Sequence, residues 1–458
     1  MNNFIKKYSQ KGEFLKKIIV IAVLVTYCFT INAEVLTLKD LKETALKNNP
    51  ELLENEHKKK SADYDYNKSM LGLIPSASFN GNYSHIPDQN FADENPSFGL
   101  SVSQTIFDGG KKWLSSRIHK DKAKIVALTY NEKRLETIAN VESKYLSVLE
   151  NKDLLETAKK YLQSSEKQLE IAKMRFEDGT LSKINILQLQ SQKASQEISL
   201  IQTENKYSIS RLDLANFLQI RDDFKLEDIS PKIYEDLLQN LKNLEIIQVE
   251  NLISEVVKMS KENNVSLIKS ELTQSINKKT ILKAGGDFLP SVNLSYSNNW
   301  SKNEITDSYE DSQKLSLSAS IPIFPIADNA VELVKAKNDY KTSFYNYQST
   351  KDGLKLSLKS SVYNLVTSAK SVDATSKALE YARQTYLHTE EKFKHNIIAA
   401  DDLLDAEILL FSSENQYTQS IYDLLRERSS LLKLIGVEDA EILNDILLKL
   451  YTSTKNTH

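Results

Sequence analysis

Cysteine is nearly missing from this 458-residue chain: Cys28 is its single one, and it lies in a leader. The mature protein therefore has no disulfide, no thiol chemistry and no cysteine-held metal. Tyr27, just before Cys28, is too bulky for a lipid-attachment box, which leaves a lipoprotein only as the alternative. Long apolar runs are lacking as well. The stretch from Ile18 to Phe29 is a dozen residues, well short of the roughly 20 that a spanning helix needs. It follows Lys6, Lys7, Lys11, Lys16 and Lys17 and ends at Asn32-Ala33, which is the layout of a secretory signal cleaved after Ala33, not of a membrane anchor. Five lysines and one glutamate leave with residues 1–33, taking the net charge from −3 to about −7, and nothing recommends nucleic acid as a partner. No later stretch could cross a bilayer as a helix. Any insertion after export must use β-strands.

The groups that carry chemistry are sparse too. The six histidines, His57, His85, His119, His388, His395 and His458, show no metal spacing, and no serine sits in a nucleophile elbow. Gly109-Gly110 lacks the lysine of a phosphate loop. No catalytic, cofactor or metal site is expected. Glycine and proline are few and unevenly spread: they crowd into 72–110 and 285–325 and are absent from 111–178, 180–230 and 354–435. Crowded regions read as strands and turns, and empty ones as long helices.

The chain is written twice. At an offset of 215, Lys47-Asn48-Asn49-Pro50-Glu51-Leu52 falls over Glu262-Asn263-Asn264-Val265-Ser266-Leu267, and Leu73-Ile74-Pro75-Ser76 over Phe288-Leu289-Pro290-Ser291. At 217, Ile106-Phe107 falls over Ile323-Phe324, and Arg175-Phe176-Glu177-Asp178-Gly179 over Lys392-Phe393-Lys394-His395-Asn396. This order divides the mature chain of about 425 residues into a first repeat at 34–219, an inter-repeat segment at 220–250, a second repeat at 251–436 and a tail at 437–458.

In the first repeat Leu155, Ala158, Leu162, Ser165, Leu169, Ala172 and Phe176 recur in steps of three and four; Val372, Thr375, Leu379, Ala382, Tyr386, Thr389 and Phe393 do so in the second. Such seams belong to coiled-coil-like helices laid side by side in a wall, or to an ordinary helical hairpin. Helix 111–178 would be about 100 Å long at 1.5 Å per residue. Its flanking helices, 38–71 and 181–219, are each too short to pair along it but match it when placed end to end. The second repeat offers 250–284 and 397–435 against 327–395.

Alternation of period two marks four strands. Ala77, Phe79, Gly81 and Tyr83 oppose Ser76, Ser78, Asn80, Asn82 and Ser84; Phe98, Leu100 and Val102 oppose Gly99, Ser101 and Ser103. Val292, Leu294 and Tyr296, then Leu315, Leu317 and Ala319, repeat this against serine and asparagine. The hairpins run 76–107 and 291–324, with acidic, polar loops at 86–96 and 302–312. Each strand has about 9 to 11 residues, enough to cross a bilayer when tilted. Four strands cannot close a barrel, and open edges are not tolerated in hydrocarbon, so the barrel must be shared between chains. Two chains would fill the lumen with side chains; three would give twelve strands and a water-filled passage. Tyr83 and Trp300 end the ascending strands, where an aromatic girdle belongs.

Gly179 and Asn396 sit in matching turns between antiparallel helices and are the residue types that most easily end a helix in the left-handed conformation. Asp402 and Asp405, three apart, project from one face of the helix that follows; acidic groups are also favoured in a first helical turn for electrostatic reasons alone.

With Asn48-Asn49-Pro50, Leu73-Ile74-Pro75-Ser76, Ile106-Phe107-Asp108-Gly109-Gly110, Arg175-Phe176 with Gly179, and Asp402-Leu403-Leu404-Asp405-Ala406 in this order, the chain from about Leu36 to Val437 resembles the TolC-type outer-membrane efflux proteins. The resemblance implies an α+β membrane protein of the outer membrane. It would be a homotrimer with a twelve-stranded barrel in outer-membrane lipid, a twelve-helix tunnel in the periplasm, and a mixed belt taking 220–250 and the tail. It implies a passive, non-enzymatic exit duct that docks onto a periplasmic adaptor, or membrane fusion, protein and an inner-membrane transporter for efflux or type I secretion. Gly179-Thr180-Leu181-Ser182 and Asn396-Ile397-Ile398-Ala399 would meet the adaptor, and Asp402 and Asp405 would line the periplasmic aperture and favour cations. Two positions depart from the polar links that close some members: Asn185 stands for an aspartate and Phe393 for a tyrosine. A periplasmic coiled-coil scaffold or adaptor is the rival reading, and the four membrane-length strands argue against it.

Overall fold

The computed structural model describes residues 35–87, 92–303, 308–324, 326–395, 397–438, 442–443 and 445–447. The signal segment, most of the tail, Asn396 and the tips of both hairpin loops lie outside them. The chain falls into two compact units, one of 1–48, 141–235 and 377–422, the other of 49–140, 236–376 and 423–458.

In the first unit, β1 (Val35–Leu36) pairs in parallel with β4 (Lys225–Leu226), an element too short to show any period in the sequence. It leads into α1 (Leu38–Asn48), which buries Leu41 and Ala45. The lower part of α3 (Lys111–Glu177) turns into α4 (Lys183–Leu218), and the end of α8 (Ile326–Lys394) turns into α9 (Ala400–Ile435). The seam of the first repeat is buried at Leu155, Ala158, Ser165, Leu169 and Ala172, whereas Phe176 is exposed; in the second repeat Val372, Ala382 and Phe393 are buried.

The second unit carries α2 (Pro50–Leu71), β2 (Ser76–Pro87), β3 (Ala92–Phe107), most of α5 (Pro231–Lys242, whose start up to Glu235 belongs to the first unit), α6 (Ile246–Asn263), α7 (Val265–Gly286), β5 (Ser291–Asn303) and β6 (Ser308–Ser320). The strands form one antiparallel sheet in the order β2-β3-β5-β6, so the two repeats join through β3 and β5. Register places Ala77, Val102, Tyr296 and Leu315 in one row and Ser76, Ser103, Ser295 and Ser316 in the next, on the opposite face. A bulge between Thr105 and Phe107 shifts the register where β3 leaves the sheet. At that exit Gly109 (φ +71°) lies against the Gly286 backbone, and a Cβ there would meet the Gly286 carbonyl oxygen at 2.5 Å.

The expected helix 38–71 is two helices, and so is 250–284. Pro50 has no N–H to give and suits the first turn of a new helix, while the Asn49 side chain accepts from Leu52 N–H at 3.1 Å. The second break has no proline: Asn264, 215 residues on, caps α7 by accepting from Leu267 N–H at 3.0 Å. In the second unit the Asn264 amide also donates to the Leu434 carbonyl at 2.8 Å, so the end of α9 reaches the start of α7. In the first unit Asn48 donates to the Leu218 carbonyl at the end of α4. The second hairpin stops at Ser320, four residues before the expected Phe324, because Pro322 cannot donate to a ladder.

Candidate functional site

The helix ends of the first unit are built by two turns of one design. Gly179 adopts φ +71°, and Thr180 N–H returns to the Arg175 carbonyl at 2.9 Å. Ile397 N–H returns to the Lys392 carbonyl at 3.0 Å, 217 residues later. Ser182 N-caps α4 by position, but its hydroxyl bonds the Asn185 amide oxygen at 2.8 Å. Gly179, Thr180, Ser182, Ile397 and Ala399 are exposed. Leu181 and Ile398 are partly covered: Leu181 packs against Leu169, Ala172 and Leu189, and Ile398 against Phe393, Ala400 and Leu403.

The two turns are tied by Arg175. Its guanidinium donates to the carbonyls of Phe393 at 3.0 Å and Lys394 at 2.7 Å, and lies 5.1 Å from the Phe393 ring centre. Charge-assisted bonds to carbonyls and a cation–π contact thus hold α3 to α8 without the hydroxyl that Phe393 lacks. Asp402 and Asp405 are exposed on the first turns of α9, while Leu403 and Ala406 beside them are buried.

One residue of this region escaped the sequence reading. Glu407, two residues past Asp405, is fully buried. The Gln168 amide, from α3, reaches its Oε1 at 3.4 Å and the Tyr386 hydroxyl, from α8, at 3.2 Å. Burial pushes the Glu407 carboxyl up to about 7, against the hydrogen bonds from Ser164 and Gln168.

In the second unit, the polar sheet face is serine and asparagine linked across strands: Ser76 meets Ser103 at 2.8 Å and Ser78 meets Ser101 at 3.0 Å between hydroxyls. The other face is apolar and exposed at Phe79, Phe98, Leu100, Leu315 and Leu317. Phe98 lies 6.3 Å from both the Phe79 and the Tyr309 ring. Trp300 stands opposite Phe98, and Tyr83, exposed, lies two residues farther along β2 than Gly81, the other partner of Phe98, on the same apolar face. No helix among the described residues is long and apolar enough to cross a membrane. None of their His, Cys, Asp and Glu side chains form a group of three or more fit to hold a metal ion.

Two repeats of helix, strand hairpin, long helix and return helix, with a sheet apolar on one face and hydroxyl-lined on the other, define an outer-membrane channel protomer. The chain belongs to the outer membrane efflux protein family, whose model matches residues 41–218 and 256–437, one stretch in each repeat. It is similar to the outer membrane protein TolC of Escherichia coli K12, 23% identical over 88% of this chain and 83% of that protein. It is also similar to the alkaline protease secretion protein AprF of Pseudomonas aeruginosa, 23% identical over 74% of this chain and 69% of that one. The fold matches the outer membrane protein VceC of Vibrio cholerae with a TM-score of 0.73 at 15% identity, over 87% of this chain and 96% of that one. The protein is an outer-membrane exit duct of the efflux class. The family is one of efflux proteins, not of enzymes.

Proposed function

We propose that three copies of this chain close a common twelve-stranded barrel and a helical tunnel, and that this tube passively conducts cargo received through a periplasmic adaptor from an inner-membrane transporter. The free edges carry the reading: β2 and β6 each pair on one side only, and unpaired edges cannot stand in hydrocarbon. Helix α4 supports it independently. Ile184, Leu187, Ile198, Ile201, Ile209 and Leu212 are all exposed, and at 100° per residue they fall in one stripe about 100° wide, the width of a packing face. A neighbouring copy of the chain is the partner that would cover it. In the barrel the serine and asparagine face lines the lumen, the Phe79, Leu100, Leu315 and Leu317 face meets lipid, and Tyr83 and Trp300 join the aromatic girdle.

At the helix turns of the first unit the exposed residues of 179–182 and 397–399, with Asn396, meet the adaptor, and Asp402 and Asp405 from three chains set six carboxylates around the aperture. The tube binds no cofactor and catalyses nothing. Because the mature chain has no cysteine, introduced pairs report cleanly. Ser78→Cys on β2, combined in turn with Ser312→Cys, Lys314→Cys and Ser316→Cys on β6, is expected to link chain to chain and trap a closed trimer in intact cells. Links formed only within single chains would refute the shared barrel.

A further inference from the structure

Glu407 sits where a carboxylate is costly, and the groups around it offset only part of that cost. From α3 it is faced by Tyr161, Ser164 and Gln168; from α8 by Tyr386 and Glu390; from α4 the neighbouring cluster of Ile186 and Leu189 around Leu404 is apolar. Farther along α9, Glu414 is engaged by Lys160 at 3.2 Å and Arg383 at 3.5 Å. The charge that acts on Glu407 is another carboxylate, Glu390, which raises its proton affinity further.

The hydrogen bonds from Ser164 and Gln168 favour the charged form but are outweighed by burial, and they are thinly supplied. The Gln168 amide nitrogen has two hydrogens and three acceptors near it, Ser164 Oγ, Tyr386 OH and Glu407 Oε1. Glu407 Oε2 and Gln168 Oε1 are buried with no donor. The Ser164 and Tyr386 hydroxyls bring hydrogens of their own, yet Glu407 Oε2 meets none of them, and a proton on the carboxyl removes the cost of burying a charge there.

We propose that Glu407 is a proton-operated latch at the tip end of α9: protonated, it lets α9 pack against α3 and α8, and losing the proton loosens that packing and frees the stretch bearing Asp402 and Asp405. The proposal rests on the duct reading above for its consequence, a periplasmic end that opens more readily above neutral pH, but not for the packing change itself.

Two readouts on the full-length protein in detergent and in planar bilayers separate these. Amide hydrogen exchange over residues 400–412, corrected for intrinsic pH dependence, is expected to quicken about tenfold between about pH 6 and pH 8.5 in the wild type, as a carboxyl crossing its titration range by a unit or more requires. In Glu407→Gln, of the same shape but neutral throughout, it is expected to stay at the low-pH level. Conductance is expected to rise with pH in the wild type and not in Glu407→Gln. Equal quickening in both proteins, or in neither, overturns the latch. A difference in exchange with no conductance from either protein at any pH leaves the latch standing and defeats the duct reading. If Glu407→Gln does not fold, Gln168→Leu, which removes the amide donor from the same layer, is expected to raise the protonation midpoint of the exchange change; an unmoved midpoint overturns the latch.

Discussion

A glutamate that is unremarkable in the sequence has the largest consequence at the scale of single residues. Glu407 keeps its proton more tightly in the folded protein than unfolded, so its contribution is fully present below about pH 4.5 and is lost as pH rises through about 7. A displacement of that size corresponds to about 3 kcal/mol per chain, so the thermal midpoint of the wild type should fall between pH 5 and about 8 more steeply than that of Glu407→Gln. Arg175→Ala removes two bonds to carbonyls and a ring contact; hydrogen exchange at residues 176–182 and 393–399 should quicken while the sheet is unaffected. That Asp402 and Asp405 lie near a helix start and are exposed was legible in the sequence from their spacing of three after a turn. Glu407 was not, since a lone glutamate in a helix usually faces water. The clue was its place in the run Leu403, Glu407, Leu410, spaced by four and three, which is the buried stripe of α9.

Among elements, the hairpins and long helices were readable because period two and the absence of glycine and proline persist over many residues. The breaks at Asn49 and Asn264 were not, because one capping residue interrupts a helix without disturbing the periodic pattern on either side. Val265 gives no punctuation at all, and only its duplicate position, Pro50, hints at the break. Asn49→Ala and Asn264→Ala should each cost about 1 kcal/mol, the usual worth of an N-cap, and should quicken exchange at the first turns of α2 and α7. Gly109→Ala is expected to be worse than either, since it combines a left-handed backbone with a Cβ driven into the Gly286 carbonyl; poor yield of folded protein is the readout. The β1–β4 pairing stayed hidden because two-residue strands carry no period, and parallel partners 190 residues apart leave no local signal.

For the whole molecule, duplication was the most informative property of the sequence. It fixed two hairpins and hence four strands, and four strands with free edges force the question of what closes them. The chain alone answers with exposed surfaces: two open edges and the apolar stripe of α4. The size of the ring is where legibility ended, because it depends on the angle at which one copy meets the next and not on any residue within a copy. Replacing Asp402 and Asp405 by asparagine together should lower the cation preference of the assembled duct several-fold if six carboxylates ring its aperture, as ion selectivity measured across a bilayer would show. All of this depends on the shared barrel. The native mass of the membrane-extracted protein in detergent, by light scattering corrected for bound detergent, tests it most directly. A particle of three chains that precipitates when detergent is withdrawn is the predicted result, and a single chain that stays in solution without detergent would contradict the account.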